Sequence, residues 1–566
     1  MASLMGSLFI GASGLQVSQH ALETTAHNMA NIDTEGYTRQ QVQQGTRPYI
    51  TTEKDYRVVA WKQTGLGVVY NNCKQVRSYF LDQSYRQETG RSSFYDVSVV
   101  TLEEIEDQLQ EMNGEEFAES LNNLWTAIQE LSKNPTSAVN QNTMVTRANE
   151  FVLRAQSVYD GLVNYQNNMD KEVAKIVEDI NKIGDRIHEL NLKIVEIESG
   201  HQEHANDLRD ERNLLLDQLG EYGRIEYYED VFGNVLCKFE GTQFITTDHV
   251  NHMACDNVLP EEKGGSPVGF NTPYWEFASK KEYNEVREEW VVTDINGAKV
   301  YDMTQTISTA MNTDIGKLRA TLLARGDHHA TYHDISDDPT GQFYNQHIAQ
   351  SVIMNVEAEF DQMVKNICTA INEIYETAGS NPVNLANARG EETTEEVSDY
   401  DLFKVMNEED CLNYTIDENH KAGENRKGYI VTNIQVNPKY LQQPTTMTFL
   451  LADGSEDNET IAKLKASFIT ADYLINPNVA TKTDFTGYYN MLVSQVANSG
   501  DVYKGIRSNQ ELTVDAVANA REQIVGVSSD EELEFMIKFQ NAFNASSRYI
   551  NVVSEMIEHL VTSLGH

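Results

Sequence analysis

Apolar residues recur at alternating three- and four-residue steps over long stretches of this chain, and the same spacing appears at both ends. Near the C-terminus Met536, Phe539, Phe543, Ile550, Val553, Ile557, Leu560 and Leu564 follow it, with Ser546 as the one break. This is the seam of a coiled coil. Near the N-terminus Leu8, Leu15, Leu22 and Met29 recur every seventh residue, while Gly11, Ser18, Thr25 and Ile32 hold the other seam position with mostly small side chains. One helix offers knobs and the other offers room. Full burial of the eight C-terminal side chains, at ~1.5–3 kcal/mol each, would be worth roughly 12–24 kcal/mol as an upper bound, too much to leave in water. The C-terminal helix is predicted to begin at Ser529, whose hydroxyl can cap the first turn while Glu532 reaches back. It would form a rod on the order of 50 Å. Two such rods bring the termini together, and neighbouring copies or another partner must cover the remaining apolar surface.

Between the ends, Asn31-Ile32-Asp33-Thr34-Glu35-Gly36-Tyr37 reads as a turn after the first helix, followed by an extended arm and short strand-like pieces at Tyr56 to Trp61 and Gly67 to Tyr70. The helical period returns by Val97, with Leu102, Ile105, Leu109 and Met112 on one helix and Phe117, Leu121, Leu124, Ile128 and Leu131 on the next, ending before Asn134-Pro135. A series from Met144 through Val158, Met169, Ile180 and Leu190 to Ile197 predicts one very long helix, closed by Gly200 and answered by a helix carrying Leu208, Leu215 and Leu219. From Tyr222 the period changes, and Gly233-Asn234 between Val231 and the run Val235 to Phe239 predicts a hairpin. Trp290-Val291-Val292 and Lys299-Val300-Tyr301 extend this β-rich reading, helix resumes from Gln342 to Ala378, and Tyr429 to Val436 and Thr445 to Leu451 read as strands. The expected architecture is mainly α with β insertions, an α+β multidomain chain with terminal coiled-coil rods, a long helical bundle and discontinuous, nested domains. The expected parts are a terminal coiled-coil domain (1–40 and 520–566), a helical bundle (41–222, 313–378 and 485–519), a β-rich insertion (223–312) and a second, acidic β-containing insertion (379–484).

Charge narrows the partners. With 86 acidic against 44 basic residues the formal net charge is -42, which repels phosphate backbones and anionic lipid surfaces, so no nucleic-acid partner is expected. Runs such as Glu391 to Glu396 and Glu408-Glu409-Asp410 read as solvated surface. Cys73, Cys237, Cys255, Cys368 and Cys411 lie far apart without a Cys-x-x-Cys pair, which suggests neither a disulfide framework nor a zinc cluster. No stretch reaches the ~18 consecutive apolar residues of a membrane helix, so no membrane insertion is expected. No Lys or Arg precedes Arg39, unlike a secretory signal, so any export is expected by another route.

Candidate chemistry is thin. Asp327-His328-His329 with His333-Asp334 is the best metal candidate, because His329 and His333 are four apart and would share a helix face. Arg325-Gly326 before it and Pro339 after it favour a polar loop instead. His201 and His204 flank a helical turn, where solvated polar residues are expected, and His188-Glu189 lacks the second histidine of a zinc-protease helix. Neither a Gly-x-Ser-x-Gly elbow nor a phosphate-cradling Gly-x-x-x-x-Gly-Lys occurs. No catalytic residue, cofactor or metal is expected.

The opening Ser13-Gly14-Leu15, Ala21-Leu22, Asn28-Met29-Ala30-Asn31, Thr34-Glu35-Gly36-Tyr37 and Arg39-Gln40 resembles the shared start of bacterial flagellar axial proteins, with Glu35 where proline is common and His27 where asparagine is common. The closing Gly526-Val527, Asp530-Glu531-Glu532, Phe539-Gln540-Asn541-Ala542-Phe543, Ala545-Ser546-Ser547-Arg548 and Met556-Ile557-Glu558 is similar to the matching end. Within that family the long helices from Val97 to Leu219, with Asn206 to Arg212, and the segment Gly316 to Arg325 resemble the hook-associated, hook–filament junction branch. The resemblance implies a non-enzymatic ring of subunits in the extracellular flagellum, between hook protein and second junction protein, reached through the type III export apparatus. It implies assembly through Leu8, Leu15, Leu22, Met29, Phe543, Ile550, Val553, Ile557, Leu560 and Leu564. An export chaperone is also implied, with Met536, Phe539, Phe543, Ile550 and Ile557 as candidate contacts. Another axial protein, or a flagellum-mounted adhesin or enzyme with chemistry in the insertions, is the alternative.

Overall fold

The computed structural model describes residues 2–55, 60–110, 117–200, 203–256, 269–284, 289–295, 297–336, 340–391, 393–406 and 428–564. Tyr56, Met112, His201, Glu392, Cys411 and the run Glu408 to Asp410 lie outside the described residues.

The chain opens with helix α1 (Ala2–Ala30) and strands β1 (Gln40–Thr46), β2 (Ile50–Asp55), β3 (Ala60–Thr64) and β4 (Val68–Gln75). Four helices follow: α2 (Tyr79–Gln110), α3 (Phe117–Lys133), α4 (Ala138–Glu198) and α5 (Asn206–Tyr222). The predicted very long helix is α4, a single run of 61 residues. Strands β5 (Ile225–Glu229), β6 (Val235–Phe239), β7 (Thr242–Ile245), β8 (Met253–Asp256), β9 (Thr272–Trp275), β10 (Lys280–Asn284) and β11 (Glu289–Asp294) come next. Helices α6 (Lys317–Arg325), α7 (His333–Ser336), α8 (Val352–Glu376) and α9 (Pro382–Arg389) precede the short strands β12 (Phe403–Val405) and β13 (Ile434–Val436). The chain ends with α10 (Pro438–Gln442), α11 (Asn458–Ile469), α12 (Phe485–Val525) and α13 (Ser529–Leu564). The fold is mainly helical with small antiparallel sheets, as the spacing predicts.

Two readings need correction. Helix α2 starts at Tyr79, well before Val97. Its first turns hide their period because part of the covered face is charged: Asp82, Arg86 and Arg91 are buried in ion pairs rather than among apolar side chains. Among its described residues, the stretch after Gly379 holds more helix than strand. Thr445 to Leu451 forms no strand, only an isolated bridge from Leu450 to Glu456. Helices α9 and α11 there begin at Asn381 and Asp457, whose side chains accept from Val383 N–H and Thr460 N–H, the N-cap geometry that ends extended chain.

The chain divides into two compact units, each made of separated segments. The first comprises residues 1–93, 178–253 and 509–566. In it the three-stranded sheet β5-β6-β7 packs on the C-terminal part of α4, where a Cβ on Gly184 would stand 2.4 Å from the Phe244 ring, so only glycine admits that ring. The buried Asn191 pins the sheet, donating to Val235 O at 2.9 Å and accepting from Val235 N–H at 3.1 Å.

The second unit comprises residues 94–177 and 254–508. Its core joins the seams of α3, α4, α8, α11 and the first part of α12, with Phe117 at the centre against Phe151, Phe360 and Tyr489 at centroid distances of 5.6, 4.9 and 5.1 Å. Tyr489 is buried because its hydroxyl finds Leu109 O at 2.6 Å.

Candidate assembly interface

In the first unit α1 and α13 lie side by side and antiparallel: Gly11 faces Tyr549 and Ile550, and Gly14, further along α1, faces the earlier Ser546. A Cβ on Gly11 would stand 2.7 Å from Ile550 Cγ1, and one on Gly14 2.9 Å from Ser546 Oγ. The small residues are therefore what lets the backbones approach. Gly11, Ser18, Ala21, Thr25 and Asn28 of α1 are buried, so the small-residue seam is the covered one. Leu8, Leu15, Leu22 and Met29, read as knobs, are only half-buried.

The other flank of α1 carries the ribbon of β1 and β4. Ser13 Oγ donates to Ile10 O at 2.8 Å and accepts from Val68 N–H at 3.2 Å. Gly67 beside it has φ +88°, and a Cβ there would come 2.2 Å from Ser13 Oγ, so the turn into β4 requires glycine. His20 lies against Tyr70 with centroids 4.7 Å apart. Asn28 is the hub: its amide donates to Gln40 O at 2.9 Å, and its oxygen accepts from Gln40 N–H at 3.0 Å and from the Tyr37 hydroxyl at 2.8 Å. The asparagine, tyrosine and glutamine of the N-terminal motif are thus one hydrogen-bond set that fixes the return of the chain after α1.

Charge holds the base of the pair. Arg39 donates from Nε to Glu532 at 2.9 Å, pairs with Glu531 at 3.0 Å, and gives its backbone N–H to Val525 O at 2.9 Å. Glu532, expected to reach back over its own helix start, is turned to Arg39 and buried. Behind this, Arg521 bridges Asp82 at 2.8 Å and Asp217 at 2.7 Å, and Arg86 meets Asp217 at 2.6 Å. Asp210 accepts from Thr38 N–H and from the Gln75 amide, yet burial pushes its carboxyl up to about 6. Burial, reinforced by Asp210, also raises the Tyr37 hydroxyl.

Pairing with α1 does not use up the apolar surface of α13. Among the described side chains of its predicted seam only Val553 is buried, while Met536, Phe539, Phe543, Ile550 and Ile557 are half-buried and Leu560 is exposed. The Leu564 side chain lies outside the described set. Further large apolar side chains of α13 are exposed: Leu533, Ile537, Tyr549, Val552, Met556 and Val561, Ile537 by 60% and Met556 by 54%. Phe9 and Ile10 of α1 are exposed too. The apolar surface of α13 is therefore wider than the part α1 covers.

The histidine candidates are in the second unit, and they do not share a helix face, because helix begins only at His333. His329 Nδ1 bonds Gln166 Oε1, and the His333 ring lies tilted against Tyr332 with centroids 4.1 Å apart. Among the described residues no group of three potential ligands is brought together. His328 is the buried member: burial alone would lower it, but Asp327 and Asp334 on its two nitrogens raise it to about 10. The chain around it is held by carboxylates of α8 that the sequence did not single out. Glu357 accepts from Ala330 N–H at 2.9 Å, and Asp361 accepts from Tyr332 N–H at 2.8 Å and Val431 N–H at 2.7 Å. Asn476 donates to Glu359 at 2.7 Å. Burial raises Glu357 to about 8 and Glu359 and Asp361 to about 7. In a chain so rich in acids only their position on the apolar face of α8 could have marked them.

Residues 102–273 match the family model of the flagellar hook-associated protein FlgK helical domain, and residues 8–38 match that of the flagella basal body rod protein. The chain is 26% identical over 568 residues to flagellar hook-associated protein 1 of Bacillus subtilis, covering 99% of both chains. It is 21% identical over 579 residues to the protein of that name from Escherichia coli, covering 98% of this chain and all of the other. A solved structure of the flagellar hook junction protein FlgK from Burkholderia pseudomallei superposes with a TM-score of 0.51 at 9% identity, covering 80% of this chain and all of that one.

Proposed function

We propose that this chain, which belongs to the family of flagellar hook-associated axial proteins, is a structural subunit of the hook–filament junction that assembles through its paired terminal helices. The observation that carries this reading is the apolar surface left on α13 after α1 has covered its share. Copies arranged around an axis would bury the exposed Val552, Met556 and Leu560 and the half-buried seam residues Phe543, Ile550 and Ile557 together with Leu8, Leu15, Leu22 and Met29 of α1. The hook protein and the second junction protein are the neighbours this reading supplies above and below, and the role is scaffolding rather than catalysis. Export by the type III apparatus fits the absence of a disulfide among Cys73, Cys237, Cys255 and Cys368, and a chaperone holding Met536 to Ile557 would cover the same surface before assembly.

The test is Val552→Asp with Met556→Asp. Both side chains are exposed in the single chain, so thermal unfolding of the purified variant should match the parent while its incorporation into flagella and the motility of the cells are lost. Normal filaments on cells making only this variant would reject the reading. Removal of residues 530–566 should also abolish chaperone binding by calorimetry.

A further inference from the structure

Helices α12 and α13, 41 and 36 residues long, are separated only by Gly526, Val527 and Ser528. The helical ladder stops with Gly526 N–H on Glu522 O at 2.7 Å and resumes with Glu532 N–H on Ser528 O at 3.0 Å. A Cβ on Gly526 would stand 2.5 Å from that Glu522 oxygen, so the last turn of α12 closes only on glycine. On one side the joint borders space rather than packed side chains: Val525, Gly526 and Val527 line a cavity of about 400 Å³, which the turn from Asn31 to Thr38 also lines. These are the two connections through which α13 and α1 join the rest of their unit.

Arg39 spans the joint. Its backbone N–H donates to Val525 O at 2.9 Å, on the last residue of α12, while its side chain reaches Glu532 at 2.9 Å and Glu531 at 3.0 Å in the first turn of α13. The guanidinium also lies 5.4 Å from the centroid of the Phe535 ring, about one turn further along α13. The Glu532 side chain is 3% exposed and that of Arg39 20%, so the pair is largely withdrawn from water, where a charged, planar fork is strong and directional. The grip has its own footing. Arg39 O accepts from Val76 N–H at 2.9 Å, and the adjoining Gln40 is bonded in both directions to Asn28 of α1. One residue thus ties the end of α12 to the start of α13 and, through Gln40, to the end of α1.

We infer that Arg39 is a positioning residue: by gripping both sides of the joint it sets the direction in which the paired terminal rods leave α12, and with it where the apolar surface of α13 is presented. This rests on the assembly reading above and deepens it. Leverage makes the angle matter. At ~1.5 Å per residue α13 is a rod of roughly 50 Å, so a tilt of about 10° at its base moves the far end by about 9 Å, as much as the ~8–10 Å that separates packed helices. Copies whose rods point in different directions cannot share one lattice.

Two measurements test this. In the purified chain, nitroxides are attached through p-acetylphenylalanine at the exposed positions of Asn519 on α12 and Asn544 on α13, and the distance distribution between them is read by pulsed electron resonance. The expected result is one narrow peak in the parent and at least a doubling of its width in Arg39→Ala. An equally narrow peak in the variant, or a parental distribution already that broad, would overturn the positioning role. In cells, Arg39→Glu should lower the content of this protein in flagella several-fold, and so should Glu531→Arg with Glu532→Arg, whereas the three changes together should restore most of it, which a general loss of folding would not allow. Parental content in Arg39→Glu, or no recovery in the triple variant, would also overturn it. If the parent chain itself were absent from flagella, the function reading would fail while the peak width still decided whether Arg39 holds the joint; a parent that assembles, with a width indifferent to Arg39, sinks the positioning role alone.

Discussion

Helices α8 and α13 carry the same apolar spacing and end in opposite circumstances. On α8, Ile353, Val356, Phe360, Met363, Ile367 and Ile371 are each no more than 2% exposed. On α13, the corresponding series is half-open, and further large apolar side chains stand in water beside it. The difference lies in the neighbours. Helix α8 is covered by α6, α7 and α11 and by the core around Phe117, while α13 packs chiefly on α1, whose Gly11 and Gly14 stand directly against it. Small residues bring the backbones close but supply little apolar area, so the larger side chains of α13 remain available. A closed seam builds a core, and an open one leaves apolar side chains at the surface.

The strongest way to separate the two is to cut into the closed one. Phe360→Ala should cost the second unit ~3–5 kcal/mol, the range for a large aromatic removed from a sealed core, read as a fall in its urea midpoint. The double aspartate on α13 should leave that midpoint in place. A smaller effect is expected from Gly11→Leu, which forces a side chain into Ile550 and Tyr549; overpacking of this kind costs ~1–3 kcal/mol and should accelerate amide exchange along α13 without changing exchange in α8. If α13 exchanged at its parental rate, the close approach of the two helices would be disproved.

The most delicate contrast is protonation. Glu357, Glu359 and Asp361 are raised by burial to about 8, 7 and 7, and His328 is held up at about 10 by its two aspartates against the opposing effect of burial. In each case the folded chain keeps a proton that the unfolded chain gives up, between ordinary carboxylate values and about 8 for the acids and between about 6.5 and 10 for the histidine. Stability of the second unit therefore falls as pH rises through these windows. Urea midpoints should drop steadily from pH 5.5 to 8.5, and Glu357→Gln, which cannot ionise, should flatten the slope. A midpoint that rises over that range would contradict the buried-acid account.

Legibility followed the kind of side chain that does the burying. Helix α4 was readable along nearly its whole length because its covered face is almost entirely apolar at helical steps, from Met144 and Phe151 to Ile187 and Leu190. The start of α2 was not, since Asp82, Arg86 and Arg91 occupy its covered face and look like surface in a linear reading. Helices α9 and α11 were missed because their signals are caps, Asn381 before Pro382 and Asp457 before Asn458, which weigh little beside the β-branched and aromatic residues around them. Within the interface, the N-terminal motif could be recognised from its letters, but not the reason for them: Asn28, Tyr37 and Gln40 act as a set only because the chain reverses after α1.

Sequence alone determined the helical character of this protein, the two apolar rods at its ends and the turn that follows the first, because side-chain period and turn chemistry are local properties. It also carried enough of the terminal motifs to point to the flagellar axial proteins. Tertiary structure decided which faces stay open. Whether a leucine is core or contact surface depends on what lies within a few ångströms of it, and that proximity comes from residues hundreds of positions away, as when Gly11 meets Ile550 or Arg39 meets Glu532.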